Sequence, residues 1–146
     1  MTGNTDRRPL ALIVDDEPDI RELLEITLAR MAIDSRPAGS VTEALARLEG
    51  ADFDLCLVDM RLPDGSGIDI VRHVAERYPD TPCAVITAHG NMQTAVEALK
   101  AGAFDFVSKP VDLGVLRRLV DTALRIETVD SPAEPGPRDG ELVGKS

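Results

Sequence analysis

The run Leu55-Cys56-Leu57-Val58-Asp59-Met60-Arg61-Leu62-Pro63-Asp64-Gly65-Ser66-Gly67 joins β-favouring apolar residues to an acid and then to a turn rich in Pro, Asp, Gly and Ser. Such a run reads as a strand covered on both faces, with Asp59 at its carboxyl end. A carboxylate there meets whatever the neighbouring strand ends bring to it. The fold therefore turns on how often the pattern repeats and which residues stop each strand.

Upstream, Leu10-Ala11-Leu12-Ile13-Val14 is a second uninterrupted apolar run, and it stops at Asp15-Asp16-Glu17. Pro18 suits a first helical position, and Ile20, Leu23, Leu24, Thr27, Leu28 and Met31 recur at helical spacing. Ser35–Ala38 reads as a short strand. Ser40-Val41-Thr42-Glu43 is a capping box opening a helix with Val41, Ala44, Leu45 and Leu48 inward, and Gly50 ends it. Downstream, Ile68, Val71, Ala75 and Tyr78 mark a helix that stops before Pro79. Cys83–Thr87 is a buried strand. Met92, Ala95, Val96 and Leu99 give a fourth helix closed by Gly102. Phe104–Ser108 is the last strand, before Lys109-Pro110, and Asp112 caps a fifth helix with Leu113, Leu116, Val120, Ala123 and Leu124 on its inner stripe. Alternating strands and helices with apolar strands predict an α/β fold, a doubly wound five-stranded parallel sheet of flavodoxin-like order 2-1-3-4-5 with five helices. In that order ligands bind at the carboxyl ends of strands one and three.

The chain has 146 residues, 43% of them hydrophobic, enough for one domain with a tail. The expected divisions are a polar, flexible N-terminus over 1–9, a domain over 10–128, a Pro/Gly-rich linker over 129–140 and a short further segment, 141–146. No apolar run reaches the ~20 residues of a membrane span and no secretory leader is evident, so a cytoplasmic location is expected. Cys56 and Cys83 sit in apolar strands and read as buried small hydrophobes. Gly144-Lys145-Ser146 is not a phosphate loop, since Asp139 stands where that pattern requires glycine. The formal net charge of -10 repels nucleic-acid backbones and suits divalent cations.

The predicted topology gathers Asp15, Asp16 and Asp59 in one crevice, where carboxylates repel unless a cation or proton intervenes. With no His or Cys cluster present, Mg²⁺ is the expected cation. Thr87 and Lys109 end the next two strands at the same edge. An acid, a metal, a hydroxyl and an ammonium are the parts needed to place a phosphoryl group on a carboxylate.

Asp15-Asp16, Asp59 within LVDMRLPDGSG, Thr87 within ITAHG, and Lys109-Pro110 after Ala103-Phe104-Asp105-Phe106-Val107 resemble the receiver domain of two-component response regulators, the CheY-like fold, over about Leu10 to Thr128. The resemblance implies that Asp15, Asp16, Asp59 and the Arg61 backbone carbonyl hold Mg²⁺, and that Asp59 accepts a phosphoryl group from a sensor histidine kinase. It further implies that Lys109 pairs with the phosphate, that Thr87 and Phe106 form a switch, and that Lys109-Pro110 is cis. Such a domain is a signalling phosphoacceptor and not a turnover enzyme. MRLPDGSGIDIV, ITAHGN and TAVEALKAGAFDFVSKPVDL resemble receivers of the NtrC group, activators of sigma-54 transcription. That implies AAA+ and DNA-binding domains after the receiver, with Glu141–Ser146 resembling the start of the former. In the family, the positions of Arg61 and His89 tune water access to the acyl phosphate. Ile26, on the outer face of the first helix, corresponds to a kinase-docking surface.

Val115, Leu119 and Ile126 form a stripe roughly opposite the core face of the fifth helix, which predicts a homodimer through the region of helices four and five. Two other classes lack residues they need. A haloacid-dehalogenase-like phosphatase needs a second acid two residues after its nucleophile, where Arg61 stands, and its acidic pair follows the nucleophile instead of preceding it. A flavodoxin-like cofactor binder needs a Ser/Thr/Gly loop after strand one, where three acids stand.

Overall fold

Strands β1 (Leu10–Val14), β2 (Asp34–Ala38), β3 (Leu55–Asp59), β6 (Cys83–Thr87) and β7 (Asp105–Ser108) form one sheet in the order β2-β1-β3-β6-β7, all parallel. The two-residue strands β4 (Arg61–Leu62) and β5 (Gly65–Ser66) make a small antiparallel hairpin after β3. Counting only the large sheet, the order is the expected 2-1-3-4-5. The structure is a computed structural model and describes residues 8–88 and 92–129, with side chains described up to Arg125. Most of the expected N-terminal segment 1–9, the linker and the segment 141–146 lie outside the described residues. Among the described residues, no helix is long and apolar enough to cross a membrane.

Helices α1 (Pro18–Arg30), α2 (Val41–Gly50), α3 (Gly67–Arg77), α4 (Met92–Ala101) and α5 (Leu113–Val129) cover the sheet on both faces. Strand side chains alternate between faces, so the sheet feeds two cores. Leu12, Val14, Cys56, Val58 and Val85 meet Leu48 of α2, Ile70, Val71 and Val74 of α3, and Ala98 of α4. Ala11, Ile13, Leu55, Leu57 and Ile86 meet Leu24 and Leu28 of α1, and Leu116, Val120 and Ala123 of α5. Because both faces are covered, the central strands β1, β3 and β6 need the continuous apolar runs seen in the sequence, while the edge strands β2 and β7 carry polar residues. Cys56 and Cys83 are buried free thiols in direct register.

The expected helix signals act locally. Ser40 Oγ accepts from the Glu43 amide at 3.1 Å, while Glu43 Oε1 reaches back to the Gly39 amide at 2.8 Å, one residue beyond the usual box partner. Asp112 Oδ1 accepts from the Gly114 and Val115 amides at 2.8 and 3.1 Å. Gly102 ends α4 with φ +127° and leaves only 3.0 Å between the Ala75 Cβ and the place a side chain would occupy, so both conformation and space require glycine.

The buried faces of several helices do not coincide with the apolar residues that mark them in the sequence. On α1, Leu23 is exposed. On α3, Ile70 and Val74 are buried and Ala75 is exposed. On α4, Ala95 and Ala98 face inward, while Met92, Val96 and Leu99 are 59%, 43% and 39% exposed. On α5, Leu119 is only 6% exposed and belongs to the core packed with α1, so it cannot contribute to an outward stripe. Helix α5 packs against α1 as well as the sheet, which widens its buried arc. Val115, at 38%, is exposed as expected, and the Ile126 side chain lies outside the described residues.

Candidate functional site

The carboxyl edge of the sheet assembles the site. Strand β1 delivers Asp15, whose amide donates to the Ala38 carbonyl of β2 at 3.0 Å, so the acid is fixed by the edge strand beside it. Asp15 is fully buried, and its Oδ1 accepts from the Glu17 amide at 2.9 Å. Arg21 on α1 donates through Nη1 to the Asp15 carbonyl at 2.7 Å, tying the acidic loop to the first helical turn. Asp59, also buried, ends β3, and its Oδ1 lies 3.4 Å from the Arg61 amide that donates to it. Gly67 must be glycine, since an added Cβ would fall 2.3 Å from the Asp59 carbonyl oxygen; its amide donates to the Met60 carbonyl at 3.0 Å.

Lys109 enters from the end of β7, where its amide donates to the Thr87 carbonyl at 2.8 Å and the bond to Pro110 is cis. Its Nζ lies 3.4 Å from Asp15 Oδ2, 3.3 Å from Asp59 Oδ2 and 3.7 Å from Glu17 Oε2. One ammonium thus bridges the ends of β1 and β3. Asp59 is paired in register with Ile86, so Thr87 stands one residue further toward the same edge. Thr87 is buried. The open cleft of ≈ 380 Å³ above is lined by Asp16, Glu17, Asp59, Arg61, Leu62, Pro63, Ala88 and Lys109, leaving Asp15 and Thr87 outside its lining. Phe106 pairs with Val85 and is half-buried against the core on the α3 side. His89 lies outside the described residues.

Burial dominates the electrostatics. It pushes the Asp15 carboxyl up, against the Glu17 amide hydrogen bond and Lys109, with the Asp59 charge adding to the rise. It pushes Asp59 up as well, against Lys109 and the Arg61 amide. For Lys109, burial works downward but is outweighed by the Asp15 and Asp59 charges and the hydrogen bond to Asp59, which leave the ammonium above its ordinary value.

A hard divalent cation fits this donor set. The groups offer oxygen, and one oxygen of each of Asp15, Asp16 and Glu17 lies within 4.8 Å of the others. Asp15 Oδ2 is buried and accepts no hydrogen bond, its neighbour Lys109 being a charge contact only. Glu17 is therefore part of the acid group, and its adjacency to Asp15-Asp16 in the sequence is the signal that points to it. Arg21 and Asp64 also had roles the sequence reading missed. Asp64 lies in the turn after the strand end at Asp59, yet its carboxylate accepts from the Val41 and Thr42 amides at 2.8 and 3.0 Å. No local pattern announces a contact across 22 residues.

Comparison with known proteins adds independent findings. The model of the response regulator receiver domain matches residues 11–121. The response regulator protein PilR of Pseudomonas aeruginosa is 61% identical over 139 residues, which is 95% of this chain and 31% of that protein. Among solved structures, NtrX from Brucella abortus in complex with ADP superposes with a TM-score of 0.80 at 30% identity, over 85% of this chain and 29% of that one. The beryllofluoride-activated NtrC4 receiver domain dimer superposes with a TM-score of 0.76 at 30% identity, over 81% of this chain and 98% of that one. The chain spans about a third of the length of its PilR relative.

Proposed function

The chain belongs to the response regulator receiver domain family, as a receiver of the NtrC group, and from that premise we propose that Asp59 is the phosphoacceptor of a Mg²⁺-dependent switch. The observation that carries this reading is the Lys109 ammonium held between Asp15 and Asp59 at a cleft that Asp16, Glu17 and Asp59 also line. An ammonium placed there holds the carboxylates together and offers a partner for the equatorial oxygens of an incoming phosphoryl group.

In the proposed reaction an Asp59 carboxylate oxygen bonds to phosphorus as the P–N bond of a phosphohistidine breaks, and the departing imidazole takes up a proton from water. Asp15, Asp16, Asp59 and the Arg61 carbonyl would hold Mg²⁺, which when bound neutralises charge on the acids and on the phosphoryl oxygens. Lys109 exchanges a carboxylate partner for a dianion. The Thr87 hydroxyl then turns to the phosphate and Phe106 takes the vacated space, changing the surface of α4, β7 and α5. Arg61 and His89 would set the lifetime of the acyl phosphate.

The partners follow from the same reading. A sensor histidine kinase would dock where Leu23 and Ile26 are exposed on α1. The exposed Met92, Val96, Leu99 and Val115 supply an apolar surface on α4 and α5 for a homodimer. Control of a sigma-54 activator ATPase, and through it of transcription, belongs to the full-length protein with its AAA+ and DNA-binding domains. This fragment, with its net charge of -10, would not itself bind nucleic acid, and it would act in the cytoplasm.

The test is incubation with acetyl phosphate and Mg²⁺ followed by intact-mass measurement. One added phosphoryl group on the unaltered protein and none on Asp59→Asn is expected; equal phosphorylation of both would refute the assignment.

A further inference from the structure

Between the acceptor strand and α3 the chain makes the β4–β5 hairpin, in which Arg61 pairs with Ser66 and Leu62 with Gly65. Its base is fixed from below: Leu62 is buried, Gly67 presses on Asp59, and Ser66 Oγ accepts from the Ile68 amide at 3.1 Å to start α3. Its tip, Pro63-Asp64-Gly65, is exposed. A tip of this kind would ordinarily be mobile.

Here the tip is clasped. Asp64 Oδ1 accepts from the Val41 amide at 2.8 Å, and Oδ2 accepts from the Thr42 amide at 3.0 Å and the Thr42 hydroxyl at 2.8 Å. These are the first two amides of α2, which lack partners within the helix, and a carboxylate is also favoured at that end of a helix. Ser40 holds the third amide, that of Glu43. The start of α2 is thus shared between its own cap and an acid from another loop. Gly65 closes down beside it, with the position of a side chain there only 3.3 Å from Val41 Cγ2.

We infer that Asp64 is a positioning residue for the site, clasping the hairpin tip onto α2 so that the Arg61 backbone is held in place beside Asp59. The path is short. Pro63, with its fixed φ, and the buried Leu62 stand between the clasp and Arg61, whose amide donates to Asp59 Oδ1. This inference rests on the metal reading above, in which the Arg61 carbonyl is a ligand. Freed from α2, the tip can swing and the ligand set loses a fixed member.

Calorimetric titration of the 146-residue chain with Mg²⁺, without a phosphodonor, tests this apart from phosphorylation. Asp64→Ala should weaken Mg²⁺ binding on the order of 10-fold, the low end for losing a residue behind a metal ligand. Thr42→Val, which removes only the hydroxyl of the clasp, should give a smaller loss in the same direction and guards against an Asp64→Ala protein that fails to fold. Ser40→Ala weakens the same helix start without touching the hairpin, and should stay within about twofold of the unaltered protein, as an independent site does. Equal binding by the unaltered, Asp64→Ala and Thr42→Val proteins would overturn the inference and leave the metal reading intact. So would equal losses in Asp64→Ala and Ser40→Ala, which would make the clasp a helix cap only. An unaltered protein that takes up no Mg²⁺ would overturn both.

Discussion

Helices α3 and α4 follow one another over the same face of the sheet, yet they are anchored by different means. Ile70, Val71 and Val74 of α3 are buried, whereas α4 buries Ala95 and Ala98 and turns Met92, Val96 and Leu99 to solvent. Burying a branched aliphatic side chain is worth about 1.5–3 kcal/mol, and a methyl far less. Helix α3 begins at Gly67, against the carbonyl of Asp59, and must not move if Asp59 is to stay in place. Helix α4 comes after Thr87, on the side where the proposed signal leaves the site. The difference teaches that one fold can fix the strand end at Asp59 firmly and keep a neighbouring helix lightly held.

The largest effect that tests this contrast is in a matched pair of truncations. Ile70→Ala should lower the unfolding free energy by about 3 kcal/mol, and Leu99→Ala by less than about 1 kcal/mol, measured by urea denaturation. Similar losses in the two would break the comparison. Native-state hydrogen exchange probes it more finely: amides of α4 should exchange through openings on the order of 2 kcal/mol easier than those of α3. Equal protection would mean that the alanines hold α4 as well as the aliphatic residues hold α3.

The smallest effect concerns what firm anchoring imposes on the site. The rigid edge keeps Asp15 and Asp59 buried together, with both carboxyls pushed up by that burial. A raised folded-state value means that stability is fully present below the ordinary carboxylate value of 3.8 and is lost as pH rises through the folded one. Asp15→Asn, which cannot ionise, should therefore be more stable than the unaltered protein at neutral pH without Mg²⁺. The gain should shrink as pH falls toward 3.8. Thermal melts across that range that kept a constant difference would show that the buried charge costs nothing.

How much of this was legible depended on the kind of signal. The three central strands were plain because a sheet covered on both faces demands unbroken apolar runs there, and these runs stopped at Asp15, Asp59 and Thr87, whereas the edge strands β2 and β7 carry polar residues and gave a weaker signal. Caps such as Ser40 and Asp112 were plain because their partners lie within four residues. Helix α4 misled. Met92, Val96 and Leu99 recur at helical spacing as a core stripe does, and periodicity finds a stripe without saying which way it faces. Leu119 misled for the opposite reason, since α1 buries a side of α5 that the sheet alone would leave open.

The sequence by itself determined the strand ends, their chemistry and their order, because local apolar runs, turn residues and right-handed crossovers leave little freedom. Only the tertiary structure decided that Lys109 bridges Asp15, Glu17 and Asp59, that Asp64 clasps α2, and that the aliphatic side of α4 stays outside. Each of these joins or separates residues distant along the chain. Such pairings are set by how finished elements pack, and nothing in the spacing of neighbours carries that information.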